Sequence, residues 1–364
     1  MSIALHRIFR KKLLLWICLL FLFGALKIFS AFLANEYYPQ YNHIDIWLKD
    51  CRTVSEEELD GYVSQLAQQV NSDEQHLKVV GRDFYAFLES YENRVFVQNL
   101  INFAKNGEGA LGTGIPDNFG NLQDFYRELD APAVINEQPL DQYFFLQSIS
   151  IVPIIVLLLC AIIWGEHFEQ GIYRVTESTP NGETYYKTYN VVLLSLGLCF
   201  LIFNELFDLW QSGLLENEYI WKSPVQSYGC FRYVQLHCSI GVIWAISFTS
   251  KLIGVFTLCL VGLLIAKWKK SVKDSVVWIM LLLIAFLFLG KALENTGIYS
   301  VMQLGIINWQ DLIRNATILL PLPLNTLVLG LIITFLITAM LYCYVTFKRS
   351  QKHCVKVSTA STTK

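Results

Sequence analysis

The sequence predicts an all-α polytopic membrane protein, with six transmembrane helices and a mainly helical extracellular domain inserted between the first two. Three observations carry this. Of the 364 residues, 54% are hydrophobic and 16% charged, against about a quarter charged in soluble domains. The apolar residues gather into six runs of spanning length. Charge is also segregated: residues 35–143 hold 7 Lys/Arg against 19 Asp/Glu, net −12, so the rest of a chain of net charge −2 is net +10. A mean hydropathy of +0.41 excludes a disordered chain, and the absence of a basic footprint excludes nucleic acid as a partner.

A helix crosses about 30 Å of hydrocarbon with about 20 apolar residues. The first run, Leu13–Ala34, is interrupted only by Lys27 and Ser30. Arg7, Arg10, Lys11 and Lys12 precede it as they would in a signal peptide. The run is too long for such a segment and no A-x-A site follows, so it reads as a retained span. Residues 35–143 form the inserted domain. Ser55-Glu56-Glu57-Glu58 has the form of a capping box. Leu59, Val63, Leu66 and Val70 then recur at helical spacing, as do Phe84, Leu88, Tyr91 and Val95. Gly107–Gly120, with five glycines and Pro116, reads as a loop rather than a phosphate cradle.

The second span is Phe144–Trp164, with Pro153 tolerable inside a bundle. An inner loop, residues 165–190, leads to the third span, Val191–Trp210. An outer loop, 211–251, precedes the fourth, Leu252–Trp268, and Ser275–Leu289 is the fifth. Residues 290–321 are semi-apolar but too broken to span, which suits an interfacial or re-entrant segment. Leu322–Phe347 is the sixth span and 348–364 the tail.

Loop charges set the orientation. Residues 1–12, 165–190, 267–274 and 348–364 hold fifteen Lys/Arg; the loops 211–251 and 290–321 hold five. The expectation is a cell-membrane protein with both termini cytoplasmic and the acidic domain outside. Nine cysteines, an odd number with no C-x-x-C pair, give no disulfide framework. The sequence has no G-x-x-x-x-G-K-[ST] and no H-E-x-x-H, so neither a cofactor nor a metal is expected, and no enzyme activity. His167 between Glu166 and Glu169 reads as a surface histidine. An intramembrane hydrolase built on these three residues would need another buried His or Asp at the same depth, and the spans offer no other His.

Ionisable residues in apolar runs are functional hypotheses. Lys27 lies in the outer part of the first span, Glu205 and Asp208 at the outer end of the third, and Lys251 at an outer end of the fourth. Two readings stand: hydrated boundary groups, or Glu205–Lys27 and Asp208–Lys251 pairs inside the bundle.

The inner loop reads Trp164-Gly165-Glu166-His167-Phe168-Glu169-Gln170-Gly171-Ile172-Tyr173-Arg174, then Ser178-Thr179-Pro180-Asn181-Gly182. A short polar helix closed by a turn suits docking of a cytoplasmic partner; a solvated connector is the plainer reading. The run resembles the permeases of ABC-2 type exporters, in which the second helix leads into an acidic stretch, a Gly, an apolar patch and a small-residue-Pro-x-Gly turn. Glu169 and Gly171 match the acidic-x-Gly pair, and Thr179-Pro180-Asn181-Gly182 matches the turn. Leu215–Leu236, with Pro224-Val225-Gln226-Ser227, is similar to bacterial members that carry an extracellular insertion. The family commonly has Arg directly after the turn Gly; Glu183 stands here, and the nearest Lys is Lys187, so the charge offered to a partner differs.

The resemblance implies a permease half in the lipid bilayer, a homodimer or heterodimer with a related permease, and a separate cytoplasmic ABC ATPase. Glu166, Glu169, Gly171, Arg174, Pro180 and Gly182 would form its docking element. It also implies short re-entrant helices between the last two spans. The alternative is a non-transporting membrane sensor or accessory protein whose outer domain binds a ligand or peptide.

Overall fold

A computed structural model describes residues 13–37, 44–55, 58–72, 74–106, 119–148, 152–174, 182–293, 318–319, 324–325, 332 and 335–343. Its helices are α1 (Leu13–Tyr37), α2 (Ile44–Cys51), α3 (Leu59–Asn71), α4 (Glu74–Asn106), α5 (Phe119–Arg127), α6 (Gln138–Ser148), α7 (Val152–Glu169), α8 (Gly182–Gln211), α9 (Glu218–Lys222), α10 (Ile240–Lys269) and α11 (Val272–Leu293). Among the described residues, four stretches are long and apolar enough to cross a membrane: Ile17–Tyr37, Gln138–Glu169, Thr188–Gln211 and Ile240–Lys269. The chain is a helical membrane protein. Beside these four packs α11, 22 residues long.

Helix α7 is apolar on every side and buried along most of its length, as a bundle's central helix must be. Helices α8, α10 and α11 pack on it. Its contacts depend on small residues. A Cβ on Gly262 of α10 would overlap the Cys160 side chain, and one on Gly165 would lie 3.0 Å from the Val272 backbone. Small residues of this kind let helices approach closely where lipid supplies no hydrophobic drive. On α1, Phe21, Ile28, Phe29 and Phe32 are exposed and suit a lipid-facing surface.

The inserted domain has two cores. In the first, Ile44 and Leu48 of α2, Val63, Leu66 and Val70 of α3, and Val80, Phe84 and Phe87 of α4 pack together. In the second, Val97, Leu100, Ile101 and Ala104 of α4 close on Phe125, Tyr126 and Leu129. The apolar face expected on α3 is fully buried. The capping box is not formed: Ser55 Oγ donates to the Glu58 carboxylate at 2.8 Å, and Glu58 is already in the helical backbone region at the N-cap of α3. The stripe on α4 runs through Val80, Phe84, Phe87, Ser90, Asn93 and Val97 rather than Leu88, Tyr91 and Val95. Its two polar members are bonded: Ser90 Oγ accepts from the Ile135 amide, and Asn93 Nδ2 donates to the Gln226 and Ser227 carbonyls.

Residues 212–239 form a short-turned platform between α8 and α10. Tyr228, Phe231, Val225 and Ile220 pack on Ile135, Leu140, Tyr143 and Phe144, joining the inserted domain to the bundle. Helix α10 starts well before the expected fourth span, because Ser239 Oγ caps the Val242 amide and residues 240–250 carry no charge. Lys251 is therefore inside a helix, not at its outer end. Most of 290–321 and of the expected sixth span lies outside the described residues, as do 1–12 and the tail. Within that region Ile318–Leu319 pairs antiparallel with Leu324–Asn325, and residues 335–343 are helical.

Candidate functional site

Four charged residues from three helices meet inside the bundle. Lys27 Nζ of α1 lies 2.6 Å from Asp208 Oδ1 of α8. Lys251 of α10 pairs with Glu205 Oε1 of α8. Side chains of α6 and α8 join the two pairs. Asp208 Oδ2 accepts from Gln147 Nε2 at 2.7 Å and from Asn204 Nδ2 at 2.9 Å. Gln147 Oε1 accepts from Lys251 Nζ at 2.7 Å, and Tyr143 OH donates to Glu205 Oε2 at 2.7 Å. One continuous path runs Lys27–Asp208–Gln147–Lys251–Glu205–Tyr143.

The geometry follows from helical spacing. Residues 204, 205 and 208 stand three and four apart on one face of α8. At about 1.5 Å per residue, Lys27 is about 15 Å from the Tyr37 end of α1 and Lys251 about 16 Å from the start of α10. The network thus occupies the half of the bundle nearest the inserted domain. The charged members are 0–7% exposed. An isolated buried charge costs several kcal/mol. Two cations against two anions, with hydrogen bonds to Gln147, Asn204 and Tyr143, leave the cluster neutral and bonded.

Neither boundary role suggested by the sequence holds, because α1, α6, α8 and α10 enclose all four residues. The pairing is also crossed relative to the alternatives, Glu205–Lys27 and Asp208–Lys251: each lysine meets the other carboxylate. Sequence reasoning missed Tyr143, Gln147 and Asn204. Their signal was a polar side chain at the edge of an apolar run, which a terminus explains equally well.

Helix α6 ties this network to the platform. Ahead of it, Glu137 accepts the Gly229 amide on both oxygens at 3.1 Å. Burial, aided by Asp141 and Glu89, pushes the Glu137 carboxyl up to about 8, against the opposing Gly229 amide and Arg232. Tyr228 OH donates to Asp141 at 2.5 Å. Tyr143 and Gln147 follow Asp141 by two and six residues along the same helix.

At the other end, the expected docking residues are partly gathered. Helix α7 continues to Glu169, and Gly171, at φ +66°, ends it with a left-handed residue. Glu166 accepts from Gln170 Nε2 at 3.0 Å. Glu169 Oε2 accepts the Val272 amide at 3.2 Å, at the start of α11. Arg174 is exposed, with its Nε on Tyr173 OH. Gly182 opens α8, while Pro180 lies outside the described residues. His167 is not on the surface: it is 1% exposed, packed among Trp164, Phe168 and Tyr189, because the helix continues past the expected span end and turns it inward.

Among the described residues, no group of three His, Cys, Asp or Glu is placed to hold a metal ion. No family model, curated protein or solved structure matches the chain.

Proposed function

We propose that the chain is the membrane-spanning subunit of an ATP-driven exporter of the ABC-2 type. It sits in the cell membrane with six spans, both termini cytoplasmic and residues 35–143 outside. A separate cytoplasmic ATPase docks on residues 166–182, and a second copy or a related permease completes the path.

The observation that supports this reading is the bond from the Val272 amide to Glu169. It fastens the end of α7 to the start of α11, beside the close approach of Gly165 to Val272. A force applied at 166–174 acts on the α10–α11 hairpin as well as on α7. Helix α10 carries Lys251, so the same motion reaches the charge network. ATP-driven work in the partner is thereby delivered mechanically, without covalent chemistry in this chain.

Co-purification in detergent tests the assignment. The parent should retain an ATPase subunit. Arg174→Glu reverses an exposed charge, and Glu169→Gln keeps an acceptor for Val272 while removing the charge. Losing one partner of such a contact costs about 2–5 kcal/mol, about 30-fold or more in affinity, so both variants should lose the ATPase. Glu128→Lys, exposed in the inserted domain, should keep it. An ATPase absent from the parent, or undiminished in both variants, contradicts the proposal.

One observation favours a second reading. Glu169 is already engaged within the chain, and the inserted domain is bonded to the bundle through Glu137 and Asp141. A sensor or accessory protein whose outer domain binds a ligand needs only that connection. It moves ahead if no ATPase accompanies the parent.

A further inference from the structure

Helices α10 and α11 join through a tight turn at Lys270 and Ser271, and the joint carries a dense set of cations. Residues 267–274 hold Lys267, Lys269, Lys270 and Lys273 against Asp274, net +3. Lys267, Lys270 and Lys273 are exposed. Two indoles lie beside them: Trp268, 62% exposed, and Trp278, 41% exposed, have ring centroids 4.9 Å apart. The Lys269 ammonium lies 3.5 Å from the first ring centroid and 4.1 Å from the second, a cation–π contact that holds the pair together. Around and beyond Trp278, the side chains of Val277, Met280, Leu281 and Ile284 are exposed on α11, an apolar surface that suits lipid.

We propose that this joint binds the headgroup of an anionic glycerophospholipid. Depth is the first reason. Tryptophan favours the boundary between hydrocarbon and headgroups, and the exposed apolar face of α11 reaches up to Trp278. Lys273 stands five residues before Trp278, about 7–8 Å along the axis at about 1.5 Å per residue. The headgroup layer is about 5–8 Å thick on each side of the hydrocarbon, so the lysines meet phosphates where the indoles rest on acyl chains. Charge is the second reason. Lys267 and Lys269, in the last turn of α10, also answer that helix's own dipole. Lys273 stands in the first turn of α11, where the dipole disfavours a cation. An external anion serves lysines on both helices, and the N-terminal end of α11 attracts the same anion. Glu169, bonded to the Val272 amide, lowers the local sum from +3 to +2 and leaves the joint cationic. A phosphate in solution or an acidic protein segment would use the lysines alone. A lipid uses the lysines, the indole pair and the apolar face of α11 together.

The site rests on the chain being a helical membrane protein, and not on the exporter reading, because lipid binding requires no ATPase. Phosphatidylglycerol and phosphatidylcholine are titrated into the full, delipidated chain in detergent, and bound lipid is counted by native mass spectrometry. The parent should bind phosphatidylglycerol about tenfold or more tightly than phosphatidylcholine. Lys267→Gln, Lys270→Gln and Lys273→Gln should each weaken phosphatidylglycerol about fivefold, the effect of one lysine near an anionic lipid surface. Arginine at all three positions keeps the charge and should bind as the parent does, which separates lost charge from a damaged fold. Lys222→Gln, at an exposed lysine of α9 ion-paired with Glu218, should leave binding unchanged. Equal affinity of the parent for the two lipids overturns the proposal. So does undiminished binding by all three glutamine variants, or equal weakening by Lys222→Gln. Displacement of the lipid by glycerol phosphate or by a glutamate-rich peptide at similar concentration also overturns it, assigning the joint to a soluble anion or a protein partner.

Discussion

The two halves of the helix bundle are held together by opposite means. Near the inserted domain, α1, α6, α8 and α10 are joined by charges and amides: Lys27, Asp208, Gln147, Lys251, Glu205 and Tyr143. Toward the other end, α7, α10 and α11 meet through small and apolar contacts, Gly262 on Cys160, Gly165 on Val272, and Leu157 and Ala161 on Ile279. Lipid tails are as apolar as leucine, so helices in a bilayer associate by close packing or by polar bonds. This molecule uses one at each end. A packed apolar seam tolerates small sliding movements. A hydrogen-bonded charge network has discrete arrangements, and a shift must exchange one set of partners for another.

The largest expected effect comes from breaking the polar half on one side only. Asp208→Leu strands Lys27 and removes the acceptor of Gln147 and Asn204. Losing one member of a buried pair costs about 3–5 kcal/mol, which chemical unfolding in mixed micelles would measure. A loss below 1 kcal/mol would place the network in water instead.

A pH series comes next. Glu137 titrates near 8 in the folded protein, above its ordinary 4.5. Its folded pKa is raised, so the folded state holds more protons than the unfolded state between those values. The stabilisation is complete below about pH 4.5 and is lost as pH rises toward 8, by at most about 1.4 kcal/mol per pH unit. The midpoint of thermal unfolding should fall across that window in the parent and stay flatter in Glu137→Gln. Equal slopes in both proteins would remove the domain-side end from the pH response.

A methyl group tests the packed half. Gly262→Ala forces its Cβ against Cys160 and should cost about 1–3 kcal/mol by overpacking. Cys160→Gly in the same chain should recover much of that loss. The smallest effect belongs to the exposed outer face of α11. Leu281→Ala, at a half-exposed position, should change stability by less than about 0.5 kcal/mol.

The apolar half was legible in the sequence, because runs of spanning length report themselves through composition alone. The α3 face was also legible: Leu59, Val63, Leu66 and Val70 are all buried, the last three in one core. On α4 the stripe was read out of phase after Phe84. Ser90 and Asn93 occupy buried positions, and an apolar pattern cannot register residues buried for their hydrogen bonds. The charged members of the network were visible as Lys27, Glu205, Asp208 and Lys251, but their pairing was not. Pairing depends on helix rotation and on the start of α10, which Ser239 sets ahead of the expected span. Gln147 and Tyr143 sit where a span begins, so their polarity looked like a boundary. A cavity where the inserted domain meets the ends of α1 and α8 is assembled from four separate stretches of chain, and no local pattern announces it.

The central claim is that mutual charge compensation, rather than solvation, stabilises the domain-side half of the bundle. A double-mutant cycle on Lys251 and Glu205 tests it most directly, read by reversible unfolding in mixed micelles. Lys251→Met and Glu205→Leu should each destabilise strongly, since each leaves the other charge buried. The double variant should lose much less than the two single losses combined, giving a coupling of about 2 kcal/mol or more. Additive losses, with coupling near zero, would show the two charges to be independently solvated and would contradict the account.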